Sequence, residues 1–132
     1  MAKLFPFKMI TPDGKKFVDE CEILNVVTSS GAMGIMANHL PLVAVLEISH
    51  LNYKKNKVSN DFAISGGIIK VNDNEVIILA ETFESKDEID LERAEKSKKR
   101  ANERLLSKDP NIYMKRAEIS LKKALNRIDL KK

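Results

Sequence analysis

Short runs of alternating hydrophobic and polar residues fill residues 1–84, and turn-forming Pro, Gly, Asn and Asp residues separate them. Alternation with a period of two is typical of β-strands that turn one face towards a core. The pattern predicts strands at 5–10, 16–18, 22–28, 34–36, 42–46, 47–53, 62–65, 68–71 and 75–80. Many short strands with frequent turns favour an antiparallel β-sandwich or a flattened barrel.

Residues 85–132 show a different pattern, in which apolar residues recur every three or four positions, as they do in amphipathic helices. A first helix is predicted from Asp87 or Glu88 to about Leu106, and a second follows a break at 107–110, with Asn111 as its N-cap. The apolar stripes are thin and rich in alanine: Ala94, Ser97, Ala101 and Leu105 on the first helix, then Met114, Ala117, Leu121, Ala124, Leu125 and Ile128 on the second.

A short connection between two helices predicts an antiparallel hairpin. Alanine buries little apolar surface, and isolated helices are only marginally stable in water. We therefore expect the hairpin to pack weakly and to be able to leave its docking site. The predicted fold class is all-β plus α: an N-terminal antiparallel β-sandwich domain at 1–84, followed by a C-terminal two-helix hairpin domain at 85–132.

Charge divides the chain at the same point. The 132 residues carry 23 basic and 19 acidic side chains, for a net charge of +4. Residues 1–84 hold 8 basic and 10 acidic side chains, whereas residues 85–132 hold 15 basic and 9 acidic ones. The sandwich is therefore slightly acidic and the hairpin strongly basic, which suggests that the two parts have different partners.

Several classes of function are disfavoured by what the chain contains. No apolar run approaches the roughly 20 residues of a membrane span, and the N-terminus has no signal-peptide pattern. The single cysteine, Cys21, cannot form an internal disulfide and is interpreted as a packing residue. The two histidines, His39 and His50, offer no metal-ligand spacing, and no glycine-rich phosphate loop is present. No enzyme active site is predicted.

One charged constellation lies on the predicted hairpin. The residues on one face of each helix are Asp90, Arg93, Ser97 and Arg100 on the first, and Arg116, Lys123 and Arg127 on the second. If the hairpin brings these faces together, uncompensated cations converge, and an anion such as a polyphosphate is needed among them. The alternatives are a solvated basic face, a surface that docks on an acidic protein, or a basic nucleic-acid-binding module.

Three motifs, in order along the chain, resemble those of the epsilon subunit of F-type ATP synthases. The loop Gly31–Val43, GAMGIMANHLPLV, is similar to the family pattern of a glycine, a small or acidic residue and one variable residue, followed by G-I-x-x-x-H-x-P-L. Ala63–Val71, AISGGIIKV, is similar to A-x-S-G-G-x-x-x-V, and Leu121–Ile128, LKKALNRI, is similar to L-x-R-A-x-N-R-[LI], with Lys123 in place of the first arginine. The resemblance covers nearly the whole chain.

The resemblance implies a sandwich of about ten strands followed by a two-helix hairpin, in a non-catalytic subunit of the rotating central stalk. Such a subunit is peripheral, at the cytoplasmic face of the cell membrane, and helps couple rotation of the c ring, through subunit gamma, to the alpha/beta hexamer. The implied contacts with the c ring and gamma are Gly31, Met33, Gly34, His39 and Pro41. Some members have an acidic residue where Ala32 stands here.

In bacterial members the hairpin can also extend along gamma and inhibit ATP hydrolysis. The basic residues that would then face an acidic segment of subunit beta are Arg116, Lys122, Lys123 and Arg127. The resemblance implies neither a nucleic-acid partner nor a required cofactor.

Some bacterial members bind ATP as a regulator in the folded hairpin, with the motif [IL]-D-x-x-R-A. The segment from Ile89 to Ala94, which includes Asp90 and Arg93, matches this motif in full. The other positions that the resemblance associates with the nucleotide are Glu84, Arg100, Lys123 and Arg127. A lysine keeps the charge of an arginine but loses its bidentate fork, so weaker binding is expected here.

Overall fold

A computed structural model of the chain describes residues 3–73, 75–107, 109–110 and 113–132. Its strands are β1 (Phe5–Ile10), β2 (Lys16–Cys21), β3 (Ile23–Thr28), β4 (Gly31–Met36), β5 (Leu42–Lys55), β6 (Val58–Val71), β7 (Val76–Ala80) and β8 (Phe83–Ser85). One turn of 3₁₀ helix at Lys86–Glu88 precedes the helices α1 (Leu91–Leu106) and α2 (Met114–Lys131). The predicted order of a β-sandwich followed by two helices is confirmed.

The strands of the sandwich are hydrogen-bonded in the order β2-β1-β7-β6-β5-β3-β4, and β8 continues the pairing along β6. Among the described strands the pairs are antiparallel, with one exception: β1 and β7 run parallel. These two strands are far apart in the sequence, so no tight turn forces them to run antiparallel.

The described strands number eight rather than about ten, because β5 and β6 each replace two predicted strands. Gly66-Gly67 lies in the gap between the predicted strands 62–65 and 68–71, yet the pairing of β5 with β6 keeps the same register on both sides of it, at Val45–Ile68 and Ile48–Ser65. Both glycines have positive φ, +99° and +148°, so the strand changes direction there without ending. A glycine pair in a strand therefore marks a bend in this fold.

Large apolar side chains from both layers fill the core of the sandwich. The most deeply buried are Phe7, Met9, Leu24, Ile35, Leu51, Ile64, Ile69, Ile78 and Cys21. Burial raises the pKa of the Cys21 thiol to about 12, so the side chain packs as a thiol and is not a nucleophile. An aromatic cluster extends the core towards one end of the sheet, with Tyr53 against Phe7 at a centroid distance of 4.8 Å.

Helix α1 begins later than the predicted Asp87 or Glu88. Ser85 and Glu88 form a capping box around the separate 3₁₀ turn, and Ile89 is then extended, with φ −73° and ψ 125°. The buried Ile89 side chain holds the chain in this conformation, so α1 starts only after Asp90, whose carboxylate accepts from the Arg93 backbone N–H at 3.1 Å. The predicted N-cap of the second helix, Asn111, lies outside the described residues.

The hairpin is joined by small side chains. The buried residues are Ala94 and Ala101 on α1, and Ala117, Ala124, Ile128 and Leu130 on α2. Two members of the predicted stripe are instead exposed: Met114 is in the first turn, and Leu125 is rotated by about 100° from Ala124 around the helix. In the described part of the chain, neither helix has the length and apolar character required to span a bilayer.

Among the five glycines, Gly67 has the closest backbone neighbours. A Cβ added there would lie 2.9 Å from the Ala80 Cα and inside the contact distance of the Leu79 carbonyl oxygen. Both are backbone atoms of the paired strand and cannot move away easily. We expect Gly67→Ala to lower the free energy of unfolding by about 3 kcal/mol, through overpacking and a strained φ, as measured by urea denaturation.

Gly14 provides the matched control, because it also has positive φ (+95°) but no described atom lies within 4 Å of an added Cβ. Gly14→Ala should cost only the backbone strain, about 1 kcal/mol. Equal losses in the two variants would contradict the close approach of β6 and β7 at Gly67.

Candidate functional site

Helix α2 lies against β5 and β6 and is held there by hydrogen bonds to backbone. The Asn126 side-chain amide donates to the carbonyl oxygens of Ser49, at 2.9 Å, and Ile64, at 3.3 Å. His50 Nε2 lies 2.9 Å from the Asn126 carbonyl oxygen, and because a carbonyl only accepts, this nitrogen carries the proton. These contacts place one face of α2 on the sandwich.

The apolar part of this contact is small. A cluster of Ala63 on β6, Ile89 ahead of α1 and Leu130 near the end of α2 is separate from the core of the sandwich. The large core side chains lie elsewhere, so the hairpin packs on the sandwich without contributing to its core.

The segment that joins β7 to α1, residues 81–90, is called here the crossing segment. Three of its glutamates each pair with a cation on another element: Glu81 with Lys123 at 2.9 Å, Glu84 with Arg127 at 2.5 Å and Glu88 with Lys15 at 2.7 Å. All six side chains are partly exposed, so solvent weakens each pair. Together the pairs connect the crossing segment to both α2 and the sandwich.

Lys15, just before β2, makes a particularly dense set of contacts. Its ammonium donates to the Phe83 carbonyl at 2.7 Å as well as to Glu88, and it lies 4.5 Å from the centroid of the Phe83 ring. The hydrogen bond from Lys15 is the main factor that holds the pKa of Glu88 below its ordinary value of 4.5. The contribution of Glu88 to stability is therefore present above that pH and is lost as the pH falls through the lowered pKa.

A cleft of about 500 Å³ opens between the sandwich and the hairpin. It is called here the interdomain cleft, because its walls come from the turn before β2, the crossing segment and both helices. Its lining residues are Thr11, Asp13, Lys15, Thr82, Phe83, Glu84, Glu88, Asp90, Arg93, Ala94, Ser97 and Arg127. Such a cleft exists only while the hairpin is docked on the sandwich.

The structure brings together most of the residues that the sequence associates with a nucleotide. The cleft is lined by Glu84, Asp90, Arg93, Ala94 and Arg127, whereas Ile89 is buried beneath its wall. Arg100 lies further along α1, where its guanidinium donates to Ser97 Oγ at 3.3 Å, and Lys123 turns to Glu81. Neither of these two residues lines the cleft.

The expected convergence of uncompensated cations is wrong in two respects. Of the basic residues in the predicted constellation, only Arg93 and Arg127 line the cleft. Arg116, for example, is exposed on α2 about three helical turns from Arg127. The cleft also contains carboxylates that compensate its charge, of which Glu84 accepts directly from Arg127. A bound polyphosphate would have to compete with these carboxylates.

Sequence reasoning missed the sandwich side of the cleft. Thr11, Asp13 and Lys15 belong to a segment identified only as a turn. The Thr11 hydroxyl donates to the Asp13 carboxylate, and this hydrogen bond lowers the pKa of Asp13. No local signal states that this turn faces the hairpin, since the two are about 80–110 residues apart and meet only through the tertiary fold.

The residues predicted to contact a ring and a stalk lie on a different part of the surface. Gly31, Met33 and Gly34 are on β4, the last strand in the pairing order, and His39 and Pro41 follow in the loop to β5. Several apolar side chains are exposed on and next to this strand: Met36 by 54%, Leu40 by 80% and Val43 by 68%. Exposed apolar groups at this density are typical of a protein interface.

Comparison with known proteins identifies the family. Two protein-family models match the chain. The ATP synthase delta/epsilon chain β-sandwich domain matches residues 4–86, and the delta/epsilon chain long α-helix domain matches residues 87–132. The chain belongs to the ATP synthase delta/epsilon family. The resemblance inferred from the three motifs is thereby confirmed.

Bacterial members named ATP synthase epsilon chain are similar over nearly their whole length. The relative from Bacillus cytotoxicus is 41% identical over 128 residues, which cover 97% of this chain and 96% of the relative. The relative from Clostridium novyi is 42% identical over 131 residues, or 98% of this chain and 99% of the relative. The similarity to ATP synthase epsilon chains therefore extends over both the sandwich and the hairpin.

Solved structures support the fold. A chain of the Euglena gracilis mitochondrial ATP synthase OSCP/F1/c-ring structure superposes with a TM-score of 0.78 at 24% identity, covering 91% of this chain and 76% of that one. A chain of the Tetrahymena thermophila mitochondrial central stalk and c-ring structure has a TM-score of 0.61 at 17% identity, with coverages of 99% and 98%. In the described residues, no group of three or more His, Cys, Asp or Glu side chains is placed to hold a metal ion.

Asn126 is expected to control how firmly the hairpin is docked. Asn126→Ala removes two hydrogen bonds to strand carbonyls, each worth about 1 kcal/mol. We expect amide hydrogen exchange in α2 to accelerate about tenfold or more, while exchange in the sandwich core stays unchanged. Hydrogen-exchange mass spectrometry of the full chain measures both regions together.

Leu125→Ala is the control for this experiment, because Leu125 is adjacent on α2 but 42% exposed. It should leave α2 exchange close to that of the unmodified chain. Equal acceleration in the two variants would show that general loss of side-chain contacts on α2, rather than the Asn126 contact, sets the exchange rate.

Proposed function

We propose that this subunit is a non-catalytic rotor component that couples rotation of the c ring to the alpha/beta hexamer through gamma, and that its hairpin regulates ATP hydrolysis. In the docked state the hairpin leaves the catalytic subunits free, and ATP bound in the interdomain cleft stabilises that state. The observation that carries the proposal is that the cleft takes its walls from the sandwich and from both helices. A ligand that fills such a cleft favours the docked hairpin by mass action.

The exposed surface around β4 supports a contact with the c ring and gamma. Met36, Leu40 and Val43 supply apolar area, and the exposed Gly31 and Gly34 have no side chain to keep a partner at a distance. The structural neighbours come from assemblies whose titles name the c ring and the central stalk. We place the subunit at the cytoplasmic face of the cell membrane, attached through the complex.

The basic residues of α2 support a second set of contacts in the released state. Arg116 and Lys122 are already exposed, whereas Lys123 and Arg127 pair with glutamates of the crossing segment while the hairpin is docked. Release separates those pairs and leaves a stripe of cations on one helix. Such a stripe suits the acidic segment proposed on subunit beta.

The nucleotide site is tested by titrating the full chain with Mg-free ATP in a calorimeter. Arg93→Ala and Arg127→Ala should each weaken binding about tenfold or more, because each removes charge-assisted hydrogen bonds to phosphate. Arg104→Ala, an exposed change in the last turn of α1, is the control and should bind as the unmodified chain does. Absence of heat at millimolar ATP, or affinities that the two cleft variants do not change, would refute the site.

The regulatory role is tested by adding the subunit to an ATPase depleted of epsilon. The full chain should restore coupled hydrolysis and should lower its rate at low ATP, whereas a chain ending at Lys86 should restore coupling without inhibition. Hydrolysis rate and proton pumping in vesicles are measured together. If the full chain does not bind the complex, the rotor assignment fails; if both chains inhibit equally, the hairpin is not the inhibitor.

A further inference from the structure

The interdomain cleft contains a cation that neither the helices nor the family motifs supply. We propose that Lys15, on the sandwich, is the third cationic contact for the phosphates of the nucleotide, in the role that the family pattern gives to the position of Lys123. This inference rests on the proposed nucleotide function and specifies which residues of this chain perform it. Nothing in the local sequence around Lys15 indicates a ligand.

Lys15 meets the requirements of such a contact. It lines the same cleft as Arg93 and Arg127. A polyphosphate that contacts the two arginines would therefore face Lys15 on the sandwich wall. Its ammonium has three N–H bonds, of which one goes to the Phe83 carbonyl and one to Glu88. Among the described residues the third finds no acceptor, so it is available to a phosphate oxygen.

The position of Lys15 is also preorganised. The Phe83 carbonyl, at 2.7 Å, and the face of the Phe83 ring, 4.5 Å from Nζ, hold the ammonium at the cleft without a ligand. A lysine held in this way loses less side-chain entropy on binding than a freely rotating one. The compact charge of an ammonium suits a phosphate oxygen, which does not require a bidentate fork.

Lys123 is placed differently. Its ammonium pairs with Glu81 at 2.9 Å, and it does not line the cleft. To reach a phosphate it would have to give up this pair and leave Glu81 without its partner. The third cation therefore comes from the sandwich, which makes the nucleotide a direct link between the sandwich and the helices.

Glu88 is the internal competitor for Lys15. Its carboxylate accepts from Lys15 through Oε2 and from the Ser85 backbone N–H through Oε1, at 3.0 Å. Glutamine at this position keeps the cap on Ser85 but removes the negative charge. The proposal thus requires opposite effects at two neighbouring side chains: loss of Lys15 weakens phosphate binding, and neutralisation of Glu88 strengthens it.

The experiment is calorimetric titration of the full chain with Mg-free ATP and, separately, with inorganic tripolyphosphate. Lys15→Ala should weaken both ligands about fivefold or more, a larger loss than Lys123→Ala causes, and Glu88→Gln should tighten both about threefold. Lys8→Ala is the control, since it removes another sandwich lysine that is paired with a glutamate, Glu75, away from the cleft. It should bind within twofold of the unmodified chain.

A second measurement does not depend on any variant that must fold. ATP should protect Lys15, but not Lys8, from acetylation by an amine-reactive ester, as quantified by peptide mass spectrometry. Affinities of Lys15→Ala within twofold of the unmodified chain, a larger loss in Lys123→Ala, or equal acetylation of Lys15 with and without ATP would each overturn the inference. In those cases binding by the unmodified chain leaves the proposed nucleotide function standing, whereas no binding of either ligand would refute both.

Discussion

The position of the hairpin depends on one contact, in which the Asn126 side chain and its backbone carbonyl bond to β5 and β6. Strand carbonyls that face a helix need donors, and an amide side chain satisfies two of them while the helix keeps its own hydrogen bonds. The apolar contribution to this docking is a three-residue cluster of Ala63, Ile89 and Leu130, whereas the buried alanines join the two helices to each other. The hairpin is therefore placed on the sandwich mainly by specific polar contacts, with little apolar burial.

Ion pairs inside the protein compensate part of the positive charge of the docked hairpin. The crossing segment lies between them, and its glutamates at 81, 84 and 88 pair with cations of α2 and of the sandwich. Two of these pairs, Glu84–Arg127 and Glu88–Lys15, involve cations that line the interdomain cleft. A polyphosphate in the proposed site would therefore compete with Glu84 and Glu88 for these cations.

Sequence periodicity predicted the elements well wherever burial alone decides their conformation. The alternating strands and the three- and four-residue spacing of the helices follow directly from which side chains face a core. Errors occurred where a long-range contact overrides the local signal. Gly66-Gly67 was expected to end a strand but bends it, because β5 pairs with β6 on both sides of the bend. Ile89 delays the start of α1, because the buried cluster with Ala63 and Leu130 requires it.

The amino-acid sequence alone determined the architecture through local periodicity, the division of charge through composition, and the family through three ordered motifs. It also identified Arg93 and Arg127, which lie on regular helical faces. The tertiary structure decided which cations share the cleft: Lys123 turns to Glu81, Arg100 and Arg116 lie elsewhere, and Lys15 enters from a turn far away in the chain. Helical spacing fixes only the face on which a side chain lies, whereas the partner of that face is set by how the hairpin docks.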